Sequence, residues 1–315
     1  MHGDALERTE PKVIYREMPA IWDADFRRHF YQRWGRESAV ISARCRRAEY
    51  PEYTQLLSIK MLRGGAEDYY VDGRRLAVDD DTYLILNSGR SYSSRIVSLA
   101  PVHSFSVFFE PGLIDEVHTG LQCDLARNLE CSSPHGGPDL SFDEHLREHD
   151  ALVTPALRQI AQGVDSGLAT EAWLDEQLRI LLARMLRAER RERRLADSMS
   201  GRPALRQELR RRLERARSFI HTHYSEPIRL REIAQAAHLS PFHLLRSFKA
   251  AYGSTPAALL AGKRIGAALR LIENTDWPLA HIAEHVGFGC RSTLFRQLRA
   301  AGIRVRERPA RKPAP

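Results

Sequence analysis

His281 and His285 stand four residues apart in a helix-forming stretch, close enough to share a metal ion, but no intervening Glu and no third ligand accompany them. His118, Cys123, Cys131 and His135 are neighbours in sequence and could in principle bind zinc, yet their spacing matches no structural zinc site. Oxygen or hydrolytic chemistry on a β-barrel would need two or three His and a carboxylate around an open metal position. His103 is the lone histidine between Glu52 and Glu110, and the turn from Gly64 to Tyr70 reads GGAEDYY, with no ligand pair. No strand-turn-helix nucleophile elbow and no phosphate-cradling glycine loop occurs either. The residues predict no catalysis, no metal and no cofactor. His103 reads as a hydrogen-bonded packing residue, and the His281/His285 pair as a polar helix face.

The elements that carry more information lie around those two histidines. LREIAQAAHLSPFHLLRSFKAAYG, from Leu230, places Ile233, Ala234, Ala237 and Leu239 on one apolar stripe before Ser240 caps a new helix whose first position is Pro241. LAHIAEHVGFGCRSTLFRQLR, from Leu279, repeats the plan: Ile282, Ala283 and Val286 form the stripe, Gly287 ends the helix, and a second helix restarts at about Ser292. A short helix, a tight turn and another short helix can place the second helix in a DNA major groove, which is wide enough for one α-helix.

The pair resembles the DNA-binding domain of the AraC/XylS family of bacterial transcription regulators, from about Arg206 to Arg299. The resemblance is carried by LSPFHLLRSFKAAYGSTP from Leu239, RIGAALRLIENTDWPLAHIA from Arg264, and VGF at Val286 to Phe288. It implies that Phe242, Leu245 and Arg246 of the first unit and Arg291, Ser292, Thr293, Phe295 and Arg296 of the second face the DNA. Arg246 could then donate two hydrogen bonds to one guanine. Phe242 and Leu245 would pack on thymine methyls or, alternatively, in the domain core. Ser292 is either a contact or a helix cap. The family usually continues with a Ser-Pro-initiated last helix, whereas here RAAGIRVRERPARKPAP follows Leu298, so that helix is expected to be absent or frayed.

Charge divides unequally. Residues 201–315 hold 22 Lys and Arg against 8 Asp and Glu, a net of +14, whereas the first 200 residues hold 26 against 32, a net of −6. A basic half suits a polyanion, although a solvated helix face equally explains the arginines of Arg184 to Arg194 and Arg206 to Arg217. Four cysteines without a CxxC pair, no secretion-like start and no long apolar run predict a soluble cytoplasmic protein.

From about Glu52 to Glu110 the chain reads as short strands: Gln55 to Leu62, Gly64 to Arg75 with two glycine turns, Thr82 to Gly89 and His103 to Glu110. Asp72-Gly73 and Asn87 to Gly89 are turn signals. Helical periodicity follows from Asp143. Between Glu171 and Leu186 it puts Trp173, Leu174, Leu178, Leu181, Leu182 and Met185 on one face, to close the domain or to meet a second subunit. YLILNSGRSYS from Tyr83 resembles the cupin-like sensor domain of the same family. That implies an α+β protein: an antiparallel β-barrel and helical connector over residues 1–195, a linker at 196–204, and an all-α tandem helix-turn-helix domain with a long joining helix over 205–315. Implied partners are double-stranded promoter DNA, a small effector near Ser58, Lys60, Tyr83, Tyr92 and His103, RNA polymerase and a second subunit, in an activator. The alternative is a ligand-gated protein-interaction module with weakened DNA binding.

Overall fold

A computed structural model describes residues 14–20, 24, 35–126, 140–197 and 202–304. The chain divides into two compact units, Met1–Ser200 and Gly201–Pro315.

The first unit is built on β1 (Ile14–Tyr15), β2 (Ala39–Thr54), β3 (Ser58–Arg63), β4 (Ala66–Val71), β5 (Arg74–Asp79), β6 (Thr82–Leu86), β7 (Ser91–Phe108) and β8 (Leu146–Glu148). The sheet runs β1-β2-β7-β3-β6-β8, with the β4–β5 hairpin branching from β7. β1 lies parallel to β2 and every other pairing is antiparallel. Asp72 and Gly73 turn that hairpin with φ of 49° and 71°, a left-handed pair that the Asp-Gly dipeptide tolerates. The sheet encloses an interior as a barrel would, although its hydrogen-bonded path stays open at β1 and β8 among the described residues.

Two long strands, β2 and β7, run through both parts of this sheet. Their register shifts between Cys45 and Arg47, and the parity of β2 changes there. Ile41 and Ala43 pack beside Phe108 before the shift, and Ala48 and Tyr50 join the interior cluster after it. A bulge thus keeps one face of a bent strand inside.

The alternating side chains separate two cores. Ile59, Met61, Tyr83, Ile85, Phe105 and Val107 face α1 (Leu113–Ala126), α2 (Val153–Asp165) and α3 (Glu171–Asp197). Leu62, Leu84, Leu86, Tyr92, Ile96 and Val102 point the other way, into the sheet interior. On α3, Leu174, Leu178, Leu181, Leu182 and Met185 are all buried against this helix-side core, with Trp173 packed beside them. The broad apolar face of α3 is therefore used within its own unit. Arg147 of β8, fully enclosed, pairs with Glu189 and Glu192 of α3 at 2.6 Å each and ties the far end of that helix to the sheet.

The five proposed effector residues divide between the two faces. Ser58, Lys60 and Tyr92 lie on the interior side. Tyr83 and His103 lie on the helix side instead, because they fall on the opposite parity of β6 and β7. Tyr83 donates to Asp150 Oδ2 at 2.7 Å. Ser42 Oγ sits 2.8 Å from His103 Nε2 and donates to Asp165 Oδ1 at 2.7 Å. With the serine hydroxyl proton given to the aspartate, this trio is a structural bridge between β2, β7 and α2, and burial lowers the His103 pKa.

The interior holds two ionisable groups that bear on each other. Lys60 and Glu67 are both buried. The Lys60 ammonium lies 3.6 Å from the centroid of the Phe108 ring and 5.4 Å from that of Tyr92, and Glu67 accepts from Ser104 Oγ at 3.0 Å. Burial drives the Lys60 pKa down to about 7 and that of Glu67 up, each opposed by the other's charge. Removing one member takes away the charge that opposes the other's burial. Lys60→Met is expected to cost about 3–5 kcal/mol of stability, while Lys60→Met with Glu67→Gln recovers most of it. Urea unfolding of the full chain checks this, and equal losses in the single and double variants would refute it.

Candidate nucleic-acid interface

The second unit consists of α4 (Pro203–His223), α5 (Leu230–Ala236), α6 (Pro241–Tyr252), α7 (Pro256–Asn274), α8 (Leu279–His285) and α9 (Arg291–Ala300). The expected linker, 196–204, overlaps the ends of two helices. Ala196 and Asp197 finish α3, Pro203 opens α4, and residues 198–201 lie outside the described residues.

Both turns between short helices use one geometry. Leu239 N–H donates to Ala234 carbonyl at 2.9 Å, and Phe288 N–H donates to Ala283 carbonyl at 2.8 Å, bonds from the third residue past each helix back over its last turn. Such a Schellman closure needs a left-handed residue at the exit. Gly287 supplies it with φ 83°, and His238 does so with φ 52° despite carrying a Cβ.

Each turn delivers a helix with one sealed face and one open face. Ser240 caps α6 by accepting from His243 N–H at 3.2 Å, with Pro241 at the first position. Leu244, Ser247 and Phe248 are buried, while Phe242 is 76% exposed and Leu245 37% exposed, with Arg246 open beside them. This resolves the alternatives for Phe242: it is not a core residue. In α9, Leu294 and Leu298 are buried, Arg291, Ser292 and Arg296 are exposed, and Thr293 and Phe295 are half-buried. The Arg291 guanidinium lies over the Phe295 ring, 5.2 Å from its centroid.

Superimposing the buried Leu244 on Leu294 pairs Phe242 with Ser292, Leu245 with Phe295 and Arg246 with Arg296. The first helix offers apolar contact flanked by a charge, and the second offers hydroxyls between charges. Ser292 is not the cap of its helix, since that position belongs to Cys290. The thiol sits 3.1 Å from Ser292 Oγ and 3.2 Å from Thr293 Oγ1.

The core of the second unit gathers Ile282, Val286, Leu294 and Leu298 against Ile265, Leu269 and Ile272 of α7, with Phe288 and Ile303 at its edge. α9 ends at Ala300, and residues 305–315, where a last helix was expected to be missing, lie outside the described residues. His281 stacks on Trp277 at 4.4 Å between centroids, and His285 meets the same ring edge-on at 5.2 Å. The His281/His285 pair is thus packed on an aromatic ring as well as polar. Among the described residues, no group of three His, Cys, Asp or Glu is placed to hold a metal. Cys131 and His135 lie outside the described residues.

Part of the arginine run on α4 turns inward. Tyr252 donates to Glu214 Oε1 at 2.9 Å, and Arg217 pairs with the same carboxylate at 3.1 Å while lying over the Tyr252 ring. Arg210 is buried beside them. This packing of α4 on α6 was invisible in the charge pattern.

Residues 233–301 match the family model described as a helix-turn-helix domain. The chain is 32% identical over 89 residues to the regulatory protein PocR of Salmonella typhimurium, covering 27% of this chain and 29% of that protein. It is 30% identical over 90 residues to the uncharacterized HTH-type transcriptional regulator YdeC of Bacillus subtilis, covering 29% and 31%. It spans less than a third of the length of both. The solved C-terminal domain of AraT, a response regulator from Geobacillus stearothermophilus, is 30% identical, covers 29% of this chain and 78% of that one, and gives a TM-score of 0.28. Among the described residues, no helix is long and apolar enough to cross a membrane.

Hydrogen bonding from Ser292 first, and then from Thr293, lowers the Cys290 pKa to about 7. Alkylation of Cys290, followed by peptide mass spectrometry on the folded chain, should therefore titrate with a midpoint of about 7, and Ser292→Ala should move that midpoint upward. An ordinary thiol midpoint in both proteins would contradict the geometry.

Proposed function

We propose that the C-terminal unit is a helix-turn-helix domain of the AraC/XylS type and that through it the protein acts as a sequence-specific regulator of transcription on double-stranded promoter DNA. One observation carries this reading. Within a half of net charge +14, α6 seals Leu244 inward and α9 seals Leu294 and Leu298, and the two helices leave Arg246, Arg291 and Arg296 open on their early turns. An exposed Phe242 in a polar domain is costly in water and useful against thymine methyl groups in a major groove.

Arg246 and Arg296 occupy equivalent places and are assigned to base edges. Arg291, at the first position of α9, is assigned to a phosphate or a base edge near the helix N-terminus. Thr293, Ser292, Leu245 and Phe295 complete the two surfaces. Residues 205–315 are the reader under this assignment and residues 1–195 the sensor. Ser58, Lys60 and Tyr92, on the interior side of the sheet, are the better candidates for a small effector. Tyr83 and His103 have partners on the helix side. A second subunit would need a surface other than the apolar face of α3, and contact with RNA polymerase would belong to the DNA-bound state.

Selection of duplexes from a random pool, followed by binding at graded salt, tests the proposal. A reader keeps a large preference for the selected duplex as salt rises, whereas a merely basic domain loses all binding together. Arg246→Ala or Arg296→Ala should each remove about 1–3 kcal/mol of discrimination and leave random-sequence binding nearly intact. No enrichment, or equal loss on both duplexes, would favour a protein-interaction module instead.

A further inference from the structure

The end of α4 and the turn after it, Tyr224 to Glu226, follow a helix that packs on α6 through Glu214, Arg217 and Tyr252. Yet this turn is gripped from the other helix pair. Tyr224 packs against the core of Ile282, Val286 and Leu294. Arg264 of α7 donates from Nε to Tyr224 carbonyl at 2.6 Å and from Nη2 to Glu226 carbonyl at 2.7 Å. The same guanidinium lies over the Phe288 ring, 5.8 Å from its centroid. Beside it the backbone of Gly287 comes so close that an added Cβ would meet Ser225 carbonyl oxygen at 2.7 Å and Tyr224 carbonyl oxygen at 2.9 Å.

The carbonyls at a helix end have no partner within the helix and carry its negative pole, so a forked cation is the side chain suited to them. One guanidinium therefore touches the end of α4, which is anchored to the first reading helix, and the turn that launches the second. The covalent bridge between the two helix pairs is α7, a single helix entered through Thr255 and left through Thr275, both in extended conformation.

We infer that Arg264 is a positioning residue that fixes the pitch between α6 and α9, and so sets the spacing at which two DNA half-elements are read together. The inference rests on the DNA-reading function proposed above. Lysine at this place keeps the charge but cannot reach both carbonyls while stacking on Phe288.

The test uses the full chain and the selected duplex, with one, two or five base pairs inserted between its two contacted segments. The wild type should lose about tenfold or more in affinity on a one-pair change, because contacts at one segment are forfeited. Arg264→Ala should bind with an unchanged salt slope and a spacing penalty of about threefold or less, and Arg264→Lys should fall between. Thermal unfolding of each variant separates loss of pitch from loss of fold. If Arg264→Ala does not fold, the Lys variant decides alone. A folded Arg264 variant as spacing-selective as the wild type overturns the inference and leaves the function standing. A wild type without any selected duplex, or one indifferent to spacing, overturns the inference as well; the first outcome also removes the function.

Discussion

The proposed reading surface depends on a backbone constraint, the requirement that the chain leave a helix in a left-handed conformation and enter another within a few residues. The closures at Leu239 and Phe288 meet it in nearly the same way. Once the exit is fixed, the angle of the following helix is fixed too. Leu244 and Leu294 then turn inward, and the residues two before and two after them turn out. The open positions are consequences of this geometry, and their chemistry is the only thing left for the sequence to vary. Phe242 against Ser292 shows how far that variation has gone within one chain.

The first unit solves a different problem. Its two longest strands must serve two cores at once, one beneath α2 and α3 and one inside the sheet. Their bulge near Cys45 keeps the apolar alternation in phase on both sides of the bend. Polar groups placed on these faces are then obliged to find partners. His103 finds Ser42, Tyr83 finds Asp150, and Arg147 finds two carboxylates. The interior retains Lys60 and Glu67, whose mutual charge and aromatic neighbours replace the water each has lost.

The tandem helices were legible because their signals are local. Ser240-Pro241 marks a start, Gly287 marks a stop, and leucines at helical spacing mark the buried face. The strand segments around Ile59 and Leu84 were legible from alternation, those around Tyr69 and Phe105 from their place in a run of short strands, and the β4–β5 turn from Asp-Gly. What escaped was what depends on distant partners. β2 was not recognised, since its second half carries Arg46, Arg47, Glu49, Pro51 and Glu52, and only its pairing with β7 makes it a strand. The left-handed His238 has no compositional mark, unlike Gly287. The face on which Tyr83 and His103 lie follows from register, which no single segment reveals. Arg264 lay inside a recognised helix, but its reach to Tyr224 and Glu226 crosses about forty residues.

The crowding around Gly287 gives the two turns unequal freedom to diverge. His238 tolerates a side chain at the cost of some backbone strain, so many small or polar residues would serve there with little change of shape. At Gly287 even a methyl group would strike two carbonyl oxygens while also resisting the positive φ. In a lineage of this protein, the first turn can therefore drift in residue type, whereas the second is confined to glycine.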